Sequence, residues 1–125
     1  MNEEYSFELF RGVKGKYNVK VSLSKPGVLS FSAGMSHKYD LSKYIGAQLF
    51  FDENKKAIAV KMVQQEVPDM FKMKTREGNK GSFISCKSFL SAYGLESYYG
   101  KRYSPKELEH PELGSIFIIE LENKE

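Results

Sequence analysis

Cysteine is almost absent from the sequence, since Cys86 is the only one among 125 residues. One cysteine cannot form a disulfide within the chain, and disulfides are typical of secreted proteins. The N-terminal residues 1–4 are acidic rather than apolar, unlike a secretory signal. The longest apolar runs, such as residues 116–119, fall far short of the ~20 residues of a membrane-spanning helix. These absences predict a cytoplasmic protein without a membrane span.

Groups suited to catalysis or metal binding are also scarce. His37 and His110 are the only histidines, and neither has a second His or Cys at metal-ligand spacing. Neither a GxGxxG fingerprint nor a phosphate-binding loop occurs. A nucleophilic pair of Cys86 with a histidine would need the fold to bring them together, because no local spacing supports it. We therefore expect a protein that is not an enzyme and that binds no metal or cofactor.

Charge is distributed unevenly along a chain whose formal net charge is only +3. Residues 1–10 carry three Glu, and residues 107–125 carry six Glu and one Lys. The intervening residues 11–106 hold 18 Lys or Arg against 7 Asp or Glu, a net of +11. A basic body between acidic ends favours contact with a polyanion, unless the ends fold across the basic surface.

Alternating apolar and polar residues predict a strand-rich chain. In residues 16–23, for example, one face of a strand would carry the apolar side chains and the other the polar ones, Lys16, Asn18, Lys20 and Ser22. The predicted strands, in chain order, are residues 5–10, 16–23, 28–31, 47–51, 57–63, 71–75, 82–84 and 116–121. The polar loop between residues 51 and 57 predicts a hairpin.

Three helices are predicted from capping signals. Ser32 is a suitable N-cap for a helix that continues to about Asp40. Ser85 would cap a second helix, which carries an apolar stripe from Cys86 to Tyr93 and ends at Gly94. Residues 104–107 form a capping box with proline at the first helical position, which predicts a third helix ending before residue 111.

A similar order of features occurs twice. Residues 27–51 and residues 81–119 each contain a glycine turn, a strand, a serine-capped helix, a Tyr-x-Leu exit and a further strand. Two such units can complete one core that neither covers alone. The chain is therefore predicted to be a single β-rich α+β domain. Its pseudo-repeats span about residues 14–63 and 70–121, with an insertion at about 96–113, and form one compact antiparallel sheet or barrel.

The first repeat resembles the swapped-hairpin DNA-binding domain of AbrB-type transition-state regulators. The resemblance rests on residues 20–23, Gly27, residues 28–31, the helix at 32–41, residues 49–51, the acidic turn Asp52-Glu53 and residues 57–62. Two copies in tandem resemble the MraZ-type arrangement. The resemblance implies DNA binding and a possible homodimer, although the duplication could complete the fold within one chain. The strand and helix order also fits PC4-like modules that bind single-stranded DNA.

Two rows of basic residues are candidate contacts to nucleic acid. The first row holds Lys14, Lys16 and Lys20, and the second holds Lys72, Lys74 and Arg76. Cations about 7 Å apart along a strand could follow phosphates and release counterions. A pseudo-two-fold relation between the repeats would join the rows into one surface. The alternative is a solvated sheet face or an edge protected by lysines from aggregation.

The insertion contains a tyrosine-rich segment with two cations. Its candidate residues are Tyr98, Tyr99, Lys101, Arg102 and Tyr103. Such a segment could stack bases and hold a nucleic-acid backbone. It could instead anchor a protein interface, or pack a long loop onto the domain.

These observations predict a non-enzymatic nucleic-acid-binding protein of regulatory or phage-accessory type. DNA is the expected partner, single- or double-stranded, bound through the basic sheet faces. The alternative is a protein-interaction module that uses the tyrosine-rich insertion and strand edges. A small-molecule enzyme would require a pocket that gathers Cys86 with His37 or His110.

Overall fold

The computed structural model describes residues 18–77 and 81–122 of the chain. The strands of these ranges are β1 (Val21–Ser24), β2 (Val28–Phe31), β3 (Gly46–Asp52), β4 (Ala57–Val63), β5 (Phe71–Thr75), β6 (Ser82–Ser85), β7 (Arg102–Tyr103), β8 (Lys106–His110) and β9 (Gly114–Glu120). The helices are α1 (Ala33–Tyr39) and α2 (Lys87–Ala92), each followed by a 3₁₀ helix, Leu41–Lys43 and Leu95–Tyr98 respectively. The predicted β-rich α+β class is confirmed.

The described strands form one antiparallel sheet in the order β7-β1-β2-β6-β5-β3-β4-β9-β8, which curls into a half-barrel. Two hairpins, β1–β2 and β5–β6, meet side by side through the pairing of β2 with β6. A short ladder between β5 and β3 joins them to the β3–β4 hairpin. The β8–β9 hairpin then pairs with β4 through β9.

Alternation along these strands places one face of the sheet in the core. Leu29 and Phe31 of β2 are buried, and so is Ile84, which pairs with Leu29 across the β2–β6 ladder. The helices contribute Met35 and Leu90 to the same core. Because side chains alternate in direction along a strand, the residues between these buried positions point away from the core.

Most strand predictions are confirmed. The strands expected at residues 28–31, 47–51, 57–63, 71–75, 82–84 and 116–121 are present with end shifts of at most two residues. The strand expected at 16–23 begins only at Val21, and its first two residues lie outside the described ranges. The strand expected at 5–10 also lies outside them.

The predicted cap of α1 is confirmed and that of α2 is wrong. The Ser32 hydroxyl accepts a hydrogen bond from the Met35 backbone N–H at 3.1 Å. Ser85 instead belongs to β6, where it pairs with Val28, and Cys86 occupies the N-cap of α2 without a side-chain hydrogen bond. The sheet ladder holds the chain extended for one residue more than the capping signal indicated.

The third predicted helix is also wrong, because residues 106–110 form strand β8. Lys106 pairs with Ile118 and His110 pairs with Gly114 in a tight hairpin with β9. Gly114 has a φ of 83°, which a residue with a side chain rarely adopts and which the reversal before β9 requires. The Ser104 hydroxyl of the apparent capping box accepts a hydrogen bond from Lys20 Nζ at 2.8 Å. Pairing along a whole strand outweighs a local capping preference.

Ser32 and Ser85 form a matched pair for testing the cap. Ser32 Oγ also accepts from the Lys20 N–H at 3.0 Å and donates to the Asn18 carbonyl at 2.8 Å, so it joins α1 to the segment before β1. We expect Ser32→Ala to lower the free energy of unfolding by about 1–2 kcal/mol. Exposed Ser85→Ala should change it by less than about 0.5 kcal/mol. Urea unfolding measures both, and equal losses would contradict the assigned cap.

Candidate nucleic-acid interface

The sheet surface opposite the core carries a continuous row of outward residues across five strands. Directly paired residues point to the same side of the sheet, and this side is the outer one because the neighbours along the chain, such as Val21 and Leu23 beside Ser22, are buried in the core. The cross-strand pairs run, from β7 to β5, Arg102–Ser22, Ser22–Ser30, Ser30–Phe83 and Phe83–Lys74. We call the surface formed by Lys20, Ser22, Ser24, Val28, Ser30, Ser85, Phe83, Lys72, Lys74, Arg76 and Arg102 the outer face.

The centre of the outer face is rich in hydroxyls. Ser22, Ser24, Ser30 and Ser85 occupy it, and no Asp or Glu occurs in β7, β1, β2, β6 or β5. Hydroxyls can donate hydrogen bonds to phosphate oxygens, and the lack of carboxylates leaves no built-in competitor for an anion on these strands.

Cations flank this centre on both sides. Arg102 on β7 and Lys74 on β5 lie four strand spacings apart in the row, which is about 19 Å between backbones. Lys72, Lys74 and Arg102 are exposed and, within residues 18–77 and 81–122, form no ion pair. Lys20 is half-buried, and its ammonium group contacts Ser104. Positive charge therefore borders the hydroxyl-rich centre.

The structure places part of the two predicted basic rows on the same face of the sheet. Lys20 precedes β1, while Lys72, Lys74 and Arg76 belong to or follow β5, and all four are on the outer face on either side of the β2–β6 pair. Lys14 and Lys16, the rest of the first row, lie outside the described residues. The serines of the outer face were not among the residues predicted to bind. Their alternation with apolar residues along the strands is the sequence pattern that could have indicated them.

The tyrosine-rich segment packs along the edge of the sheet rather than projecting from it. The Gly100 N–H donates to the Leu23 carbonyl at 2.7 Å, and the Leu23 N–H donates to the Lys101 carbonyl at 3.2 Å. Tyr98 and Tyr99 are half-buried against the core. Of the three interpretations offered by the sequence, loop packing is the one these contacts match.

Tyr103 is not available as the base-stacking residue that the sequence suggested. Its side chain is only 2 % exposed, because β7 pairs with β1 in a register that turns Tyr103 inward beside Val21. Arg102, the neighbouring residue, points outward for the same reason. Burial raises the pKa of Tyr103 to about 12, with smaller contributions from Tyr98 and Glu122.

Tyr98 is held by polar contacts of its own. Its hydroxyl donates a hydrogen bond to the Glu122 carboxylate, and this bond raises the pKa of Tyr98. The Lys101 ammonium lies 5.7 Å from the centre of the Tyr98 ring. Lys101 is half-buried beside the Tyr98 ring, whereas Arg102, the other cation of this segment, is exposed.

The groups considered for catalysis lie on three different elements. His37 is on α1, His110 ends β8, and Cys86 caps α2. His110 Nδ1 accepts hydrogen bonds from the backbone N–H groups of Glu112 and Leu113, both at 3.1 Å, so it organises the β8–β9 turn. Burial raises the pKa of the Cys86 thiol from 9.0 to about 12, an effect that a backbone hydrogen bond with Leu29 partly offsets.

A cleft of about 630 Å³ lies between α1 with its following 3₁₀ helix and the β8–β9 hairpin. Its walls carry charges of both signs, including Lys38 and Lys43 on one side and Glu107 and Glu109 on the other. The Glu107 carboxylate accepts from the Tyr39 hydroxyl at 3.4 Å. The cleft was not predictable from the sequence, because its β8 wall forms only through pairing with β9 where a helix was expected.

No protein-family model, curated protein or solved structure matches the chain. The AbrB-type and MraZ-type resemblance therefore remains a prediction. Among the described residues there is no cluster of three metal-ligating side chains, and none of their helices has the length and hydropathy to span a membrane.

The buried thiol gives a pH-dependent prediction. The folded state favours the neutral thiol, while the unfolded chain ionises Cys86 near its pKa of 9.0. The contribution of Cys86 to stability is thus complete below pH 9 and is lost as the pH rises towards 12. Urea unfolding at several alkaline pH values should show a shallower decline for Cys86→Ala than for the wild type. Identical slopes would contradict the burial of an un-ionised thiol.

Proposed function

We propose that this protein binds nucleic acid without catalysing a reaction, and that the outer face is the contact surface. The observation that carries the proposal is the composition of that face, where a hydroxyl-rich centre without carboxylates is bordered on both sides by cations. The phosphate backbone of DNA or RNA offers repeated acceptors and negative charge that match both features. A regulatory or phage-accessory role is consistent with such a small binding module.

The expected binding is electrostatic. Exposed Lys72, Lys74 and Arg102 can each replace a counterion condensed on the nucleic acid, and the entropy of the released ions drives association. Affinity should therefore fall steeply as salt concentration rises. The half-buried Tyr98 and Tyr99 contribute less than the sequence suggested, because their rings already pack on the domain.

The order of elements supports a duplicated origin for the domain. A hairpin, a helix and a 3₁₀ helix occur first as β1, β2 and α1, and again as β5, β6 and α2. The two units meet through β2 and β6, which places β1 and β5 at equivalent positions on either side. A tandem swapped-hairpin regulator would have this order, with the second hairpin completing the first inside one chain. A homodimer is then an additional possibility that the fold does not require.

Removing charge from β5 tests the proposal. We expect a triple variant Lys72→Gln, Lys74→Gln and Arg76→Gln to bind oligonucleotides at least about tenfold more weakly at low salt. The slope of log affinity against log salt should fall by about 2–3. Fluorescence anisotropy with single-stranded and duplex oligonucleotides at several salt concentrations measures both quantities.

A matched variant removes the same charge elsewhere. Lys55→Gln, Lys56→Gln and Lys43→Gln change exposed lysines of the β3–β4 loop and of the 3₁₀ helix after α1, where Lys43 lines the cleft facing the β8–β9 hairpin, outside the outer face. This control should retain most of the wild-type affinity, because its charges do not border the serines. Equal losses in the two triple variants would show that only net charge matters. No binding by the wild type at low salt would overturn the proposal.

The alternative function, a protein-interaction module, has one observation in its favour. Leu108 is 43 % exposed on β8, the last strand in the described sheet order. If β8 paired antiparallel with β8 of a second copy, centred on residue 107, 108 or 109, a glutamate of one copy would lie directly opposite a glutamate of the other. Like charges directly opposite each other are destabilising. A different protein is therefore the better occupant of this edge. A complex with such a partner that survives high salt would favour this function over nucleic-acid binding.

A further inference from the structure

Arg76 differs from the other cations of the outer face because it is held in place. Its guanidinium carbon lies 4.7 Å from the centre of the Phe83 ring. One of its terminal nitrogens, Nη2, donates a hydrogen bond to Ser30 Oγ at 3.1 Å. Ser30 and Phe83 are directly paired across the β2–β6 ladder. A rigid part of the sheet therefore fixes the orientation of the guanidinium.

The charge of Arg76 has no anionic partner in the described structure. No ion pair joins Arg76 to a carboxylate within residues 18–77 and 81–122, and that includes the adjacent Glu77. A guanidinium has five N–H donors, and the contact with Ser30 uses one. The other N–H groups of the guanidinium can donate to phosphate oxygens, which arginine binds well through its planar set of donors.

The surroundings of Arg76 favour phosphate over a nucleic-acid base. Phe83 is the one aromatic residue in the described outer face, and the Arg76 guanidinium lies over its ring. The ring is therefore occupied and cannot also serve as a stacking platform on that side. Lys74 on β5 pairs with Phe83 on β6, so a second cation lies next to the residue whose ring the guanidinium contacts.

We propose that Arg76, Lys74 and Ser30 form a preformed subsite for a phosphodiester group, with Phe83 as a positioning residue. This inference rests on the proposed function and specifies its ligand: the sugar–phosphate backbone, bound irrespective of base. Ordering of the guanidinium before binding reduces the entropy that a flexible side chain would lose on contact. A positive charge alone therefore does not give full affinity at this position. The planar guanidinium of Arg76 and the Phe83 ring that it contacts both contribute to affinity.

Substitutions that preserve charge test the subsite. Arg76→Lys keeps the positive charge and removes the planar guanidinium. Phe83→Leu keeps Arg76 and removes the aromatic ring that the guanidinium contacts. We expect each to weaken oligonucleotide binding about tenfold, with an unchanged salt slope. Phe83→Tyr restores a ring and should bind like the wild type. Lys55→Arg is the matched control, because it exchanges the same two residue types at an exposed position of the β3–β4 loop outside the outer face, and it should change affinity less than about twofold.

A second probe tests base independence. An abasic oligonucleotide of the same length presents the sugar–phosphate backbone alone and should bind within about threefold of the normal single strand. Thermal unfolding of each variant checks that the sheet is retained. Unchanged affinity in Arg76→Lys and Phe83→Leu, or loss of binding to the abasic strand, would overturn the subsite while leaving nucleic-acid binding intact.

Failure of the proposed function itself has a separate signature. If the wild type binds no oligonucleotide, pyrophosphate is titrated while the Arg76 Nε–H resonance is followed by NMR. A saturable shift that is absent in Phe83→Leu would support the subsite as an anion site independent of nucleic acid. The absence of a shift in the wild type would overturn the subsite together with the proposed function.

Discussion

The pairing of β2 with β6 is the contact on which the rest of the structure depends. It joins two hairpins that are each too small to bury their own apolar face, and it places Leu29 against Ile84 in the core. The same ladder fixes what lies on the other side of the sheet, because side chains alternate with a period of two. Ser30 and Phe83 are brought together there only because Leu29 and Ile84 are brought together inside. The same strand pairing therefore forms both the core and the candidate interface.

The order of strands also keeps the two groups of cations on the outer face apart. Cations on β7 and β5 are separated by the full width of three intervening strands, so their mutual repulsion is weak and screened by solvent. The centre between them is neutral, with hydroxyls that need no ionic partner. Arg76 connects the border of the outer face with its centre, since it follows β5 yet reaches Ser30 on β2. An anion bound there would contact the cations at the border and the hydroxyls at the centre simultaneously.

The sequence predicted what depends on local pattern. Strands β2, β4 and β5 follow from alternation, and α1 follows from Ser32, because both signals arise within a few residues. The helix expected at 104–110 failed because pairing with β9 decided its conformation, and no local pattern encodes that partner. Tyr103 was expected as a contact to nucleic acid but is buried, since the direction of its side chain depends on its pairing with Val21, which no local pattern encodes. The lysines of β5 were predictable as exposed cations, whereas their meeting with the serines of β1 and β2 depended on the order of strands.

The most direct test of the account is an NMR map of backbone amide shifts upon addition of an oligonucleotide at low salt. The account predicts that the largest shifts cluster at Ser22, Ser30, Phe83 and Lys74, which form one row across the sheet. Small shifts are expected in the cleft between α1 and the β8–β9 hairpin. Shifts concentrated in that cleft, or at the β8 edge, with the outer face unaffected would contradict the central claim.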